Sequence, residues 1–193
     1  MKKSLLLKST LALALATPLM ASAESQLTVG TGSAVARLDF RVVIPRILFL
    51  GVGTGAATLA TNTTIDTVTF DFTATPTAVG NGTAVASAPV PVRVFGNNGT
   101  ITLTAATTGA LTNGTGDTIP WTQITATSSV GGLPSPVIPA TGTGAGSAVT
   151  PTSGVRVTDQ TASWTFSYAN SAVVPPGTYG TTNGQVTYTA AMP

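Results

Sequence analysis

Beyond the first 23 residues the chain is organised by period-two alternation rather than by helical spacing. Over residues 36–44, Leu38, Phe40, Val42 and Ile44 alternate with Arg37, Asp39 and Arg41. Val68, Phe70 and Phe72 alternate with Thr67, Thr69, Asp71 and Thr73, and Val90, Val92 and Val94 with Pro89, Pro91 and Arg93. The same rhythm places Ile101 and Leu103 among threonines, Trp164, Phe166 and Tyr168 opposite Ser163, Thr165 and Ser167, and Val186, Tyr188 and Ala190 opposite Thr187 and Thr189. Each run reads as a strand with one buried face and one hydroxyl-rich face.

Asn-Gly pairs begin at Asn81, Asn98, Asn113 and Asn183. This dipeptide tolerates the positive φ angles of a two-residue hairpin turn, so antiparallel neighbours are expected. The pattern predicts an all-β fold, a single antiparallel β-sandwich of about eight or nine strands over residues 37–193. Pro89 and Pro91 each remove a backbone donor, so their strand is expected at an edge or locally unpaired. Residues 131–151, rich in Gly, Pro, Ser and Ala, read as a long exposed loop.

The start of the chain changes the charge picture. Lys2, Lys3 and Lys8 precede an apolar run and an Ala21-Ser22-Ala23 ending, the pattern of a secretory signal peptide over residues 1–23 cleaved after Ala23. An exported protein is expected, located in the periplasm, on the cell surface or outside the cell. Its net charge of +2 belongs to that leader: residues 24–193 hold five arginines against six carboxylates, which leaves −1. Five scattered arginines supply no phosphate-binding cluster, so no nucleic-acid partner is expected, and no later run is long enough for a membrane span.

Composition narrows the chemistry further. There are 38 Thr, 21 Gly and 13 Pro, 7% charged residues, and neither His nor Cys. Zinc sites of the His/Cys type, Cys or His nucleophilic chemistry and disulfides are excluded, and a serine would have neither His nor, beyond the leader, Lys as its base. Asp66 and Asp71 are five apart, on opposite faces of a regular strand, and no closely spaced acidic set offers a calcium loop. A non-catalytic protein without metal or cofactor is expected. The N-x-Thr matches at Asn62, Asn81, Asn98 and Asn113 read as turn chemistry in a threonine-rich chain.

Three places suggest binding. Trp121, following Pro120, is the best candidate for an exposed sugar-stacking platform, although large aromatics more often fill sandwich interiors. Ile47, Leu48, Phe49 and Leu50 are apolar on both parities. Such a strand is covered twice, for instance by the long loop, or awaits a subunit partner. Upstream, Leu27, Val29 and Val35 share one parity in an N-terminal extension, residues 24–36, that could complete a neighbour's sheet.

Residues 174–179, Val-Pro-Pro-Gly-Thr-Tyr, followed by Gly184-Gln-Val-Thr-Tyr-Thr, resemble the last hairpin of secreted bacterial immunoglobulin-like domains. They look most like subunits of chaperone–usher fimbriae and the related spore-coat-type pilins. The resemblance implies an immunoglobulin-like sandwich, an N-terminal donor strand, self or related subunits as partners and a periplasmic chaperone. Many such pilins carry a disulfide, which this chain cannot form. The function expected is a structural or adhesive surface subunit, a fimbrial one on this resemblance, assembling by strand complementation. The alternative is a monomeric extracellular module binding carbohydrate through Trp121. Mass spectrometry of exported protein should find Glu24 at the N-terminus; retention of Met1 would contradict the leader.

Overall fold

The computed structural model describes residues 24–152, 154 and 156–193. The leader expected over residues 1–23 lies outside them. The chain divides into two units, Met1–Ile44 and Pro45–Pro193. The second holds eleven strands: β1 (Leu48–Val52), β2 (Val85–Ala86), β3 (Val90–Gly96), β4 (Ile101–Thr107), β5 (Leu111–Thr112) and β6 (Thr118–Ile119), then β7 (Ile124–Ser128), β8 (Gly142–Thr143), β9 (Ser147–Val149), β10 (Thr158–Tyr168) and β11 (Thr187–Ala191). Helical structure among the described residues is limited to three short 3₁₀ turns.

All pairings are antiparallel, and the fold is an all-β sandwich. In one sheet β3 lies between β1 and β10, and β7 pairs along β10. The two-residue β2 continues the line of β3 beside the far end of β10, with Phe166 and Ser87 exchanging bonds at the junction. In the other sheet β4 pairs with β11 on one edge, and with β9 and then β8 on the other. A small hairpin, β5–β6, stands apart.

The alternation decides what fills the space between the sheets. Trp164, Phe166 and Tyr168 are buried on β10, Val92 and Val94 on β3, and Ile101, Leu103 and Ala105 on β4. Their neighbours on the opposite parity, largely Thr and Ser, point outward and remain hydrated. Trp164 is fully buried, its ring centroid 5.1 Å from that of Tyr188 on β11, so one aromatic contact ties the two sheets together.

Several expectations change. Residues 36–44 form no strand, and Leu38, Phe40, Val42 and Ile44 are all exposed, because no second strand lies beside them. Residues 68–72 also lack a ladder; instead Phe70 and Phe72 lean on the ring of Tyr168, at 5.9 and 6.1 Å. The 131–151 stretch is not simply an exposed loop. It supplies β8 and β9 to the edge of β4 and sends Leu133, Pro136 and Ile138 into the interior, where the Leu133 carbonyl accepts from Trp164 Nε1 at 3.4 Å.

The proline strand β3 is central rather than an edge, yet the prolines fall where pairing stops. Ser163 exchanges backbone and hydroxyl bonds with Ser129, both at 2.9 Å, so its pair with Pro91 is the non-hydrogen-bonded kind. Pro91 nitrogen therefore faces the β1 side, where β1 has already ended at the Val52–Val92 pair. No ladder donor is lost.

None of the four Asn-Gly pairs has positive φ at both residues, so none is the two-residue hairpin turn expected. Asn62, Asn81 and Asn113 each accept, through Oδ1, the N–H of the threonine two residues on, at 2.8–3.0 Å. These are Asx turns, and they explain the recurrent Asn-x-Thr spacing. Asn170, buried with φ 49°, was not singled out by the sequence: its amide donates to the carbonyls of Ala78 and Thr83 and accepts from Gly80 N–H, pinning that loop.

Leu103→Ala should destabilise the sandwich by about 2–5 kcal/mol, the range for a leucine truncated in a close-packed core. Phe40→Ala should leave the urea midpoint unchanged. A matching loss at Phe40 would show that residues 36–44 belong to the folded sandwich after all.

Candidate functional site

One edge of the second sheet is unfinished. Among the described residues β11 pairs with β4 alone, and its other edge carries no ladder. In the first sheet β1 likewise pairs only with β3. These two free edges border an open cleft of about 1470 Å³. Its walls include Leu50 and Val52 of β1, Phe166 and Tyr168 of β10, and Val186 and Tyr188 at β11. The sandwich is four strands wide on one side and three on the other, and along the cleft Leu50, Val52, Val186 and Tyr188 are left half-buried.

Tyr188 marks the inner wall. Alternation turns it inward with Ala190, while Thr187 and Thr189 face out. Its hydroxyl is buried with no hydrogen-bond partner, and burial pushes its pKa well above the ordinary tyrosine range. An unpaired buried hydroxyl is costly, so this position favours a group that can accept its proton in a hydrogen bond.

The charged residues lining the cleft are Asp66 and Asp71. Asp66 accepts from Thr54 N–H at 2.5 Å and from Thr54 Oγ1 at 3.2 Å. Gly53, at φ +82°, allows this approach, since a Cβ there would strike the Asp66 carboxylate. Asp71 accepts the N–H and hydroxyl of Thr73, which hold its pKa below the usual carboxylate value. Asp117 is likewise lowered, by Asn113 and Thr115 in the β5–β6 loop, where it closes the turn.

The candidates named from the sequence divide clearly. Trp121 is 4% exposed, in a 3₁₀ turn, with Nε1 donating to Gly109 O at 2.6 Å; it is core and offers no open face for a sugar. Ile47 and Leu48 are exposed, and Phe49 and Leu50 half-buried, at the free edge of β1. The long loop pairs with β4 and leaves that edge free. Leu27, Val29 and Val35 lie in the first unit, all exposed. There the Gln26 Oε1 accepts Val35 N–H at 3.1 Å around a bend at residues 30–32, so the three do not share one straight strand. The free β11 edge and the Tyr188 hydroxyl were not named in advance. The alternation at residues 186–190 showed a strand there, but no local signal tells that a strand lacks a second neighbour.

Among the described residues no helix is long and apolar enough to cross a membrane. The chain matches no protein-family model, no curated protein and no solved structure.

Because Tyr188 and Tyr168 titrate above their unfolded value, near 10, their contribution is intact below that pH. The unfolded chain loses these protons first, so stability should fall as pH rises above about 10. Tyr188→Phe should flatten this alkaline loss and leave stability at pH 7 unchanged or higher by about 1 kcal/mol. A lower midpoint at pH 7 would mean that the hydroxyl has a partner.

Proposed function

We propose that this chain is an exported, non-catalytic structural or adhesive subunit, fimbrial in type, that assembles by strand complementation. The observation that carries this reading is the unpaired β11 edge, facing the unpaired β1 edge across an open, largely apolar cleft. A strand added there would supply backbone bonds of about 0.5–1.5 kcal/mol each. Every Val or Leu it buried would add about 1.5–3 kcal/mol. Both gains come from main chain and shape, which suits a protein so poor in charged side chains.

Export is supported by the basic and apolar character of residues 1–23. Residues 174–189, on which the resemblance to chaperone–usher and spore-coat-type pilins rests, do not form the hairpin expected of them: 174–186 are turns and bends with a single bridge at Thr182, which line the cleft and lead into β11. Self or related subunits are the proposed partners, with a periplasmic chaperone occupying the cleft before assembly. The alternative, a monomeric carbohydrate-binding module, loses its main support with the burial of Trp121.

Sedimentation and negative-stain microscopy of the purified protein should reveal oligomers or filaments at micromolar concentration. A monomer at every concentration tested would defeat this reading.

A further inference from the structure

We infer that Asn183 is a self-modification site: of the four Asn-Gly pairs, it is the one the fold sets to react first, losing its side-chain ammonia to attack by the Gly184 backbone nitrogen and becoming aspartate or isoaspartate. The reaction needs no partner strand and stands apart from complementation.

A glycine after asparagine leaves its backbone nitrogen unshielded by a Cβ, so that nitrogen can reach the carboxamide carbon. The nitrogen of Gly184, its proton lost to a solvent base, bonds to Asn183 Cγ. The Cγ–Nδ2 bond then breaks, and Nδ2 departs as ammonia with a proton taken from water, leaving a cyclic imide. Water adds to either imide carbonyl, and ring opening gives aspartate or, with the main chain routed through Cγ, isoaspartate. One water is consumed and one ammonia released. The step asks for a glycine N–H outside any hydrogen bond, a carboxamide free to turn, and contact with solvent.

Three of the pairs fail these conditions. Gly82 N–H donates to Asn170 O at 2.9 Å, while Asn81 Oδ1 holds Thr83 N–H at 2.8 Å. Gly99 N–H donates to Arg156 O at 2.8 Å, and Asn98 Nδ2 donates to Pro193 O. Asn113 is buried; its Oδ1 accepts from Thr115 N–H, Thr115 Oγ1 and Asp117 N–H, and its Nδ2 donates to Asp117 Oδ2. A bonded N–H resists deprotonation, and a carboxamide tied at both ends does not turn toward the chain.

Asn183 differs at each point. Gly184 is exposed, and neither its N–H nor Asn183 Nδ2 has a hydrogen-bond partner among the described residues. The carboxamide makes a single bond, Thr108 Oγ1 donating to Asn183 Oδ1 at 2.9 Å. Negative charge gathers on that oxygen as the nitrogen adds, so the hydroxyl stabilises the transition state. The fold holds the two residues together from both sides. Thr112 N–H donates to Thr182 O at 3.0 Å just before Asn183, and Thr187 pairs with Ala106 just after it, close to Thr108.

The product bears on the cleft. Gly184 lines it and packs so closely on Gly180 that a Cβ would strike the Gly180 main chain. Isoaspartate lengthens the backbone by one carbon at the preceding residue, so Gly184 loses that fit and the approach to β11 loosens.

The test follows the purified, folded protein in mildly alkaline buffer over days by peptide mass spectrometry. Trypsin separates the sites: residues 47–93 carry Asn81, 94–156 carry Asn98 and Asn113, and 157–193 carry Asn183, which fragment ions distinguish from Asn170. Each event raises the peptide mass by about 1 Da. In the folded protein Asn183 should react at least about fivefold faster than any other pair, and in urea the four rates should converge. Thr108→Val should slow Asn183 by about three- to tenfold, the worth of one hydrogen bond, and Thr108→Ser should restore the rate. Thr108 is exposed, so both variants should melt with the parent. Protein enriched in isoaspartate should melt lower. Another pair reacting first, or Asn183 leading equally in the folded and unfolded chain, would overturn the inference. A Thr108→Val rate equal to the parent's would overturn the part given to the hydroxyl, and an unchanged melt after isoaspartate forms would overturn the loosening at β11.

Discussion

The sandwich turns on the burial of Trp164. Its indole sits at the middle of β10, the longest strand, and reaches three otherwise separate parts of the chain. Within its own sheet it pairs with Val90 and Ser128; across the interior its ring meets Tyr188; and its N–H is satisfied by the carbonyl of Leu133 in the 131–151 stretch. A buried indole needs one acceptor, and only a non-ladder carbonyl is available, since strand carbonyls are already paired. The Gly- and Pro-rich stretch is therefore drawn inward, with Leu133 as its anchor.

From that arrangement the open cleft follows. With one edge of β4 taken by the short β8 and β9, the longest free edge of the second sheet is that of β11, and no part of the Pro45–Pro193 unit is paired there. A chain of this composition has few other ways to protect such an edge. Lysine is absent after Lys8, and the outward positions of β11 are Thr187, Thr189 and Ala191, so the edge bears no charge that would repel an incoming strand. The prolines of β3 do act as edge protection of a kind, since they fall where β1 has stopped pairing. On β11 nothing equivalent stands in the way, which is the physical content of the proposed assembly.

The abundance of threonine has two separate structural uses. On β4, β10 and β11 it supplies a hydrated face with good strand propensity and no charge. In the loops its hydroxyl reinforces Asx turns, as where Thr115 Oγ1 and backbone N–H both donate to Asn113 Oδ1. Asp71 and Thr73 repeat the motif with a carboxylate. The chain thus uses one side-chain chemistry, short-range oxygen to backbone N–H, where other sandwiches use hairpin turns of positive φ.

By itself the sequence determined the fold class and the identity of the inward faces. Val92 and Val94, Ile101 and Leu103, and Trp164, Phe166 and Tyr168 are buried as their alternation requires, because a period of two specifies which side of a strand avoids water. It could not determine neighbours. Residues 36–42 alternate as cleanly as β10, yet one run is the centre of a sheet and the other has no ladder at all. Trp121 and Leu133 give no periodic signal, and both are buried by contacts from distant parts of the chain. Only the tertiary structure decided that β3 is central, that β8 and β9 close one edge of β4, and that β11 keeps an edge open. The reason is that alternation is written locally in one segment, whereas a ladder is a property of two segments, and the second is chosen by packing across the whole fold.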